Sequence, residues 1–327
     1  MNYVRRITVT SLLAACVALA LGTSGAYAQT SSMRPVRLVI PLTAGGGADT
    51  TARILAQKLS ENTGQSFIVE NRPGAGGNIA FDFVAKADPD GHTLLYSPVA
   101  IAINPTLFEK VNYRIEDFVG VSYVGDAPLL LVANNALPVR NITDLINLAK
   151  ARPGEVRFSS SSIGSSSHLA SEMMRMMAGV EMLHVPYRGG PQALQDVIGG
   201  QVEFATIAMP EALAQVRAGR VRAVGQTGIK RSPIAPDIPT LDESGLKGYT
   251  VMTWYLVFAP AKTPTATVQR LHEEFDKALK VQEVQTRLRD AGITEIVNGP
   301  PDAAMKFVQS EYQRWGNIIR QLNLKAN

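Results

Sequence analysis

Val39-Ile40-Pro41-Leu42-Thr43-Ala44-Gly45-Gly46-Gly47-Ala48-Asp49 is the stretch on which the chain turns, and Thr50-Thr51-Ala52-Arg53-Ile54-Leu55 follows it. Arg37-Leu38-Val39-Ile40 is a short β-branched run that stops at a proline, which predicts a buried strand. Ala52, Leu55, Ala56 and Leu59 then recur at a helical period, and Gly64 is placed to end that helix. A strand thus passes through three glycines into a helix. Glycine lets backbone approach a ligand, and a helix start leaves amide hydrogens pointing outward under a favourable dipole. Together they predict a seat for an anion. The loop lacks the Lys-Ser/Thr ending of a P-loop and the spacing of a dinucleotide fingerprint. Asp49 at the helix start would repel a phosphate, and is expected to organise the loop or hold a water. A glycine-rich turn with no ligand remains the plain alternative.

The first residues read as a leader rather than as part of the fold. Arg5 and Arg6 precede an apolar run over 7–21, and Ala26-Tyr27-Ala28 supplies a small-x-small cleavage pattern. Cleavage after Ala28 removes residues 1–28. Leu13-Ala14-Ala15-Cys16 resembles a lipoprotein signal, but cutting there would leave an apolar start at 17–21. Cys16 is the one cysteine in the chain, so the remainder has neither disulfide nor thiol chemistry. About 300 residues remain, enough for two domains of roughly 150 each. The formal charge of +4 includes the two leader arginines, and such a weakly charged chain does not suggest a nucleic-acid partner. No later apolar run reaches the ~20 residues of a membrane span. Aromatics make up only 6% of the chain, which argues against a sugar-stacking surface.

From Val36 onward strand and helix signals alternate, so the expected class is α/β. Strands are expected at 66–70 and 93–97, with the turn 71–78 opening a helix over 79–86. Ser97 ends its strand, where open α/β sheets bind ligands. Strands at 117–124 and 129–133 flank an interruption at Pro128, taken as a first crossing into another lobe. Beyond it come a helix at 141–150, a strand at 156–159 and the polar loop Ser160-Ser161-Ser162-Ile163-Gly164-Ser165-Ser166-Ser167-His168, which runs into a helix over 169–178. This repeats the opening element: strand, small polar loop, exposed helix start. Further strands are expected at 182–187, 202–207 and 222–227, and helices at 192–198 and 211–218. The segment 253–260 reads as the second crossing, and two helices complete the tail. Two lobes crossed twice make a hinge.

Catalytic and metal readings are weak. The histidines His92, His168, His184 and His272 show no HExxH spacing, and with no cysteine a metal site is not expected. His168, behind the serine run, could meet a bound carboxylate or pack against backbone. A hydrolase using Ser166 and His168 needs an elbow that Gly164-Ser165-Ser166-Ser167-His168 does not form. Asp49 and Glu172 could form a catalytic pair, but nothing in their spacing favours this over helix-start capping. The methionines at 173, 174, 176 and 177 read as packing. Trp254 and Tyr255 could line a cleft, with core packing the more ordinary role.

Ile40-Pro41, Gly45-Gly46, Asp49, Ala52-Arg53, Val69-Glu70-Asn71-Arg72-Pro73-Gly74-Ala75-Gly76-Gly77 and Asp88-Pro89-Asp90-Gly91 form an ordered motif series. It continues through Ser167-His168-Leu169-Ala170-Ser171-Glu172, His184-Val185-Pro186-Tyr187-Arg188-Gly189, Pro239-Thr240-Leu241, Trp254-Tyr255 and Ala259-Pro260. In these motifs the chain resembles the substrate-binding proteins of tripartite tricarboxylate transporters, the Bug proteins. The resemblance implies a periplasmic, non-enzymatic binding protein with the two-lobed type II (Venus flytrap) fold. Residues 29–127 plus 255–327 would form one lobe and 128–254 the other. It implies a small carboxylate held by amides and hydroxyls of both lobes, no cofactor or metal, a monomer, and delivery to a membrane permease or presentation to a sensor kinase. The ligand-binding set expected on this reading is Thr43, Ala44, Gly45, Gly46, Asp49, Ser97, Ser162, Gly164, Ser165, Ser166, His168 and Ala208. The chain departs from the family pattern at Leu42, Thr43, Ala80 and Ser162. Ala208 stands where many members carry aspartate; if that aspartate meets a ligand amine, a non-amino carboxylate is expected here.

Overall fold

Residues 34–297 and 299–326 are described by a computed structural model. The leader at 1–28, its cleavage after Ala28 and the Cys16 alternative lie outside the described residues. The first half of the chain lays down β1 (Val36–Ile40), α1 (Gly47–Thr63), β2 (Phe67–Asn71), α2 (Asn78–Ala85), β3 (Thr93–Ser97), α3 (Ala100–Leu107) and β4 (Phe118–Asn134). Then come α4 (Ile142–Ala151), β5 (Arg157–Ser160), α5 (Ser166–Ala178), β6 (Leu183–Pro186), α6 (Gly190–Ile198), β7 (Phe204–Ala208), α7 (Met209–Arg217) and β8 (Val221–Gln226). The chain closes with β9 (Met252–Pro260), α8 (Thr265–Lys280), α9 (Gln282–Asp290) and α10 (Pro301–Gln321). This is the α/β class expected from the alternation.

Nine strands form one mixed sheet in the order β2-β1-β3-β9-β4-β7-β5-β6, with β8 also paired to β4. At one end β2, β1 and β3 run parallel; at the other β6, β5 and β7 run parallel. The long strand β4 joins them. It pairs antiparallel with β9 over Phe118–Pro128, and from Leu129 onward with β7 and then β8. The expected break at Pro128 is absent. Proline has no N–H to give a ladder, and Pro128 sits where β4 changes partners, so the strand runs through it.

Burial follows the pleat. Val36, Leu38 and Ile40 pack with Ala52, Leu55 and Leu59 of α1 and with Phe275 of α8. Val39, pointing the other way, packs with Phe81, Val84 and Leu95. Leu38-Val39-Ile40 supplies the apolar run that a parallel strand covered on both faces needs, with the half-buried Arg37 near the strand's start. Gly64 ends α1 with a left-handed φ of 68°, as its position predicted. α1 begins at Gly47, well before Ala52, so Asp49 lies inside the first turn. Trp254 is core: its indole N–H and that of Trp315 donate to one buried carboxylate, Glu311, at 3.0 and 2.9 Å.

Candidate functional site

The loops leaving the carboxyl ends of β1, β2, β3, β5, β6 and β7 all reach one cleft. Its wall takes Thr43, Gly46 and Gly47 from the first loop, Gly76 from the second and Pro98 from the third. The other parallel group contributes Ser161, Ser162, Ser165, Ser166 and Ser167, then Gly189 and Gly190, then Ala208 and Glu211. Tyr255 of β9 and Leu129 of β4 also line it. The cleft encloses about 710 Å³ of space, the open solvent at its mouth included.

Of the residues expected to bind, Thr43, Gly46, Ser162, Ser165, Ser166 and Ala208 are brought together in this wall. Ala44, Gly45, Asp49, Ser97, Gly164 and His168 do not line it. Ala44 and Gly45 face solvent at the outside of the turn. Ser97 is fully buried and donates its hydroxyl to the Pro98 carbonyl at 2.8 Å. Asp49 organises the loop: it accepts from the Gly45 N–H at 3.0 Å, Arg53 Nε at 2.9 Å and Asn71 Nδ2 at 3.1 Å. Burial alone would raise its pKa, but the Arg53, Gly45 and Asn71 hydrogen bonds outweigh burial and hold it below the usual carboxylate range.

His168, expected in the ligand-binding set, turns into the protein and does not line the cleft. It is 5% exposed, its Nδ1 accepts the Gly164 N–H at 3.3 Å, and its Nε2 lies 3.8 Å from Glu172. Its ring stacks on His184 with centroids 4.0 Å apart. Burial, then His184 and Arg175, push its pKa well below the ordinary value, so the ring is neutral. Its work is to pin Gly164, whose φ of +74° bends the serine loop. Among the described hydrogen bonds none joins Ser166 to His168, so the proton path a hydrolase would need is missing from this pair.

The serine loop is tied to itself. Ser165 caps α5, its hydroxyl accepting the His168 N–H at 3.2 Å and donating to the Ser162 carbonyl at 2.7 Å. Ser167 Oγ accepts the Ser161 N–H at 2.9 Å and lies 3.0 Å from Ser161 Oγ. These bonds hold the start of α5 open toward the cleft, with hydroxyls and helix-start amides as the available donors. Thr43 Oγ1 donates to the Arg188 carbonyl at 3.2 Å, linking the loop after β1 to the loop after β6 across the cleft.

Glu211 is the residue the sequence reading missed. It stands in the first turn of α7, where an acid reads as ordinary helix-start chemistry, and only the fold reveals that it faces inward. Its carboxylate accepts the Gly47 N–H, and burial pushes its pKa up to about 7. Its Oε2 is buried without a hydrogen-bond partner. Gly45 and Gly47, two amides of the predicted anion seat, are therefore already engaged by the protein's own carboxylates. Tyr255, stacked on Tyr96 at 5.6 Å, lines the cleft beside Glu211, while its neighbour Trp254 does not. Among the described residues no three His, Cys, Asp or Glu side chains gather as metal ligands, and no helix is long and apolar enough to cross a membrane.

Three solved structures share this architecture over nearly their whole length. The R. palustris protein Rpa4515, solved with adipate, superposes with a TM-score of 0.86 at 35% sequence identity, covering 90% of this chain and 98% of that one. The periplasmic binding protein BugD gives 0.85 at 32% identity, over 90% and 99% of the two chains. MatC from Rhodopseudomonas palustris, solved with bound malate, gives 0.82 at 31% identity, over 88% and 99%. Residues 51–324 match the tripartite tricarboxylate transporter family receptor. By that match and by these likenesses, the chain belongs to the tripartite tricarboxylate transporter receptor family, the Bug-type periplasmic binding proteins.

Proposed function

We propose that the protein is an exported solute receptor that closes on a small organic carboxylate and delivers it to a membrane permease of the tripartite tricarboxylate type. The observation that carries this reading is the meeting of six strand-end loops, three from each parallel group, on one donor-lined cleft. The two groups are joined through β4 and its partner β9, so bending there would open and shut the cleft. The lobes would be 29–127 with 255–327, and 128–254. Thr43, Gly46, Ser162, Ser165, Ser166 and Ala208 would touch the ligand, with the carboxylate at the start of α5. Asp49, Gly164 and His168 would shape the two loops. The acids in related structures, adipate in Rpa4515 and malate in MatC, support the ligand class. Export is supported by the leader pattern at 1–28 and by BugD, a periplasmic relative.

The test is thermal unfolding of protein purified from the periplasm, stripped of carried-over ligand and titrated with a panel of acids. Binding to the native state alone adds about 2.7 kcal/mol at a hundred times Kd. A selective upward shift is expected for at least one acid. Flat melts with every acid, together with no small molecule released on denaturation, would defeat the reading. Loss of uptake of that acid in a strain lacking the protein would separate permease delivery from sensing, which would leave uptake intact.

A further inference from the structure

Among the described residues Glu211 is the one charged side chain in the cleft wall, and the protein leaves it half satisfied. One of its interactions is the hydrogen bond from the Gly47 N–H at the start of α1. On its other side lies the start of α6, where a Cβ built on Gly190 would come within 2.6 Å of Oε2. A glycine there is what lets the carboxylate sit so close to that backbone. Counting its own helix, three helix starts surround Glu211, and their dipoles favour a negative charge. Yet Oε2 has no donor. A carboxylate oxygen buried without a partner is costly, and a ligand that brings a donor removes the cost. A second ligand carboxylate at the same place would add like-charge repulsion.

Resting on the carboxylate reading above, we infer that Glu211 receives an ammonium group of the ligand, so the preferred ligand is a small amino acid with its carboxylate at the start of α5. The presence of alanine at 208 suggested the opposite. The acid instead arrives one helical turn later, in the same wall. Other titratable groups near it do not compete. Tyr255 on β9 is pushed up by burial and by Glu211 itself, which keeps the phenol neutral. Asp49 on α1 is held by Arg53. Arg188, before α6, lines the neighbouring groove beside Tyr187. An ammonium would complete the hydrogen bonding of Glu211 and hold it ionised, against the burial that pushes it up.

The experiment is calorimetric titration of the stripped protein with matched pairs that differ only in the amine: succinate against aspartate, and glutarate against glutamate. The amino member of at least one pair should bind on the order of tenfold to a hundredfold more tightly. Glu211→Gln should collapse that ratio toward one. Equal affinities within both pairs would overturn the inference and leave the carboxylate reading standing. So would tighter binding of the plain diacid with affinity rising as pH falls through 7, because a protonated Glu211 would then be donating. A ratio unchanged in Glu211→Gln would overturn it as well. If neither member of either pair binds, the ammonium assignment falls; the broader acid panel then decides the carboxylate reading separately.

Discussion

Replacing Glu211 with glutamine should stabilise the ligand-free protein at alkaline pH and leave it nearly unchanged in acid. Burial raises the carboxyl from 4.5 to about 7 in the fold. A raised folded pKa means that the native state binds more protons than the unfolded state between those values. The contribution is present in full below the ordinary pKa and is lost as pH rises through 7. At about 1.36 kcal/mol per unit, a shift of this size corresponds to roughly 3 kcal/mol of destabilisation above pH 7. Glutamine cannot ionise and keeps an acceptor for Gly47. The variant should therefore gain up to about 3 kcal/mol at pH 8, a rise in Tm of roughly 5–10 °C for a chain of this size. Asp126, which burial raises to about 6, titrates in the same window, but it is common to both proteins and drops out of their difference. Urea or thermal melts of both proteins at pH 5, 6, 7 and 8, in buffers without carboxylates, give the result directly. A difference that does not vary with pH, or a variant less stable at pH 8, would refute the reasoning. A binding residue that costs stability when empty is the expected signature of a site built for a ligand.

The histidine stack should produce the opposite slope. Burial lowers His184 from 6.5 to about 4, so the unfolded chain takes more protons as pH falls from 6.5 toward 4. The fold then loses roughly 3 kcal/mol from this group over that window. His184→Phe, which keeps a ring against His168 and Phe158, should flatten the acid limb of a Tm-against-pH curve; an unchanged limb would place the acid sensitivity elsewhere. Thr43→Val removes the hydroxyl that meets the Arg188 carbonyl at 3.2 Å. It should weaken calorimetric affinity for the best acid by about threefold to tenfold, the worth of one such hydrogen bond. An unchanged Kd would mean that this link across the cleft does not form in the liganded state.

Local signals decided most of the elements and misled at particular places. The β-branched run before Pro41 and the stop at Gly64 located β1 and α1 because each is a property of a few adjacent residues. α3 carried no such signal: Ala100–Leu107 opens on the apolar run Ala100-Ile101-Ala102-Ile103, has no side-chain cap and holds Pro105. Pro128 argued for two strands, and the exchange of β4's partners made them one. Thr43, Ser162 and Ser166 of the expected set do line the cleft, because the loops that carry them leave strand ends and open helices there. His168 stayed open between two roles in the sequence because a histidine at a helix start can turn toward solvent or inward, and the stack with His184, sixteen positions away in sequence, decides which. Glu211 was missed for the converse reason.

The class of fold, the family and the two glycine- and serine-rich loops that open α1 and α5 were therefore legible in the sequence alone, since each depends on the order and spacing of residues along the chain. The orientation of side chains around the cleft was decided only by tertiary structure. Parallel strands from both ends of the sheet bring Gly47, Gly190 and Glu211 together, and the burial that results sets the charge of the site. Distances between residues so far apart in the chain are products of packing, and packing is what turned an ordinary helix-start acid into the cleft's one unsatisfied carboxylate.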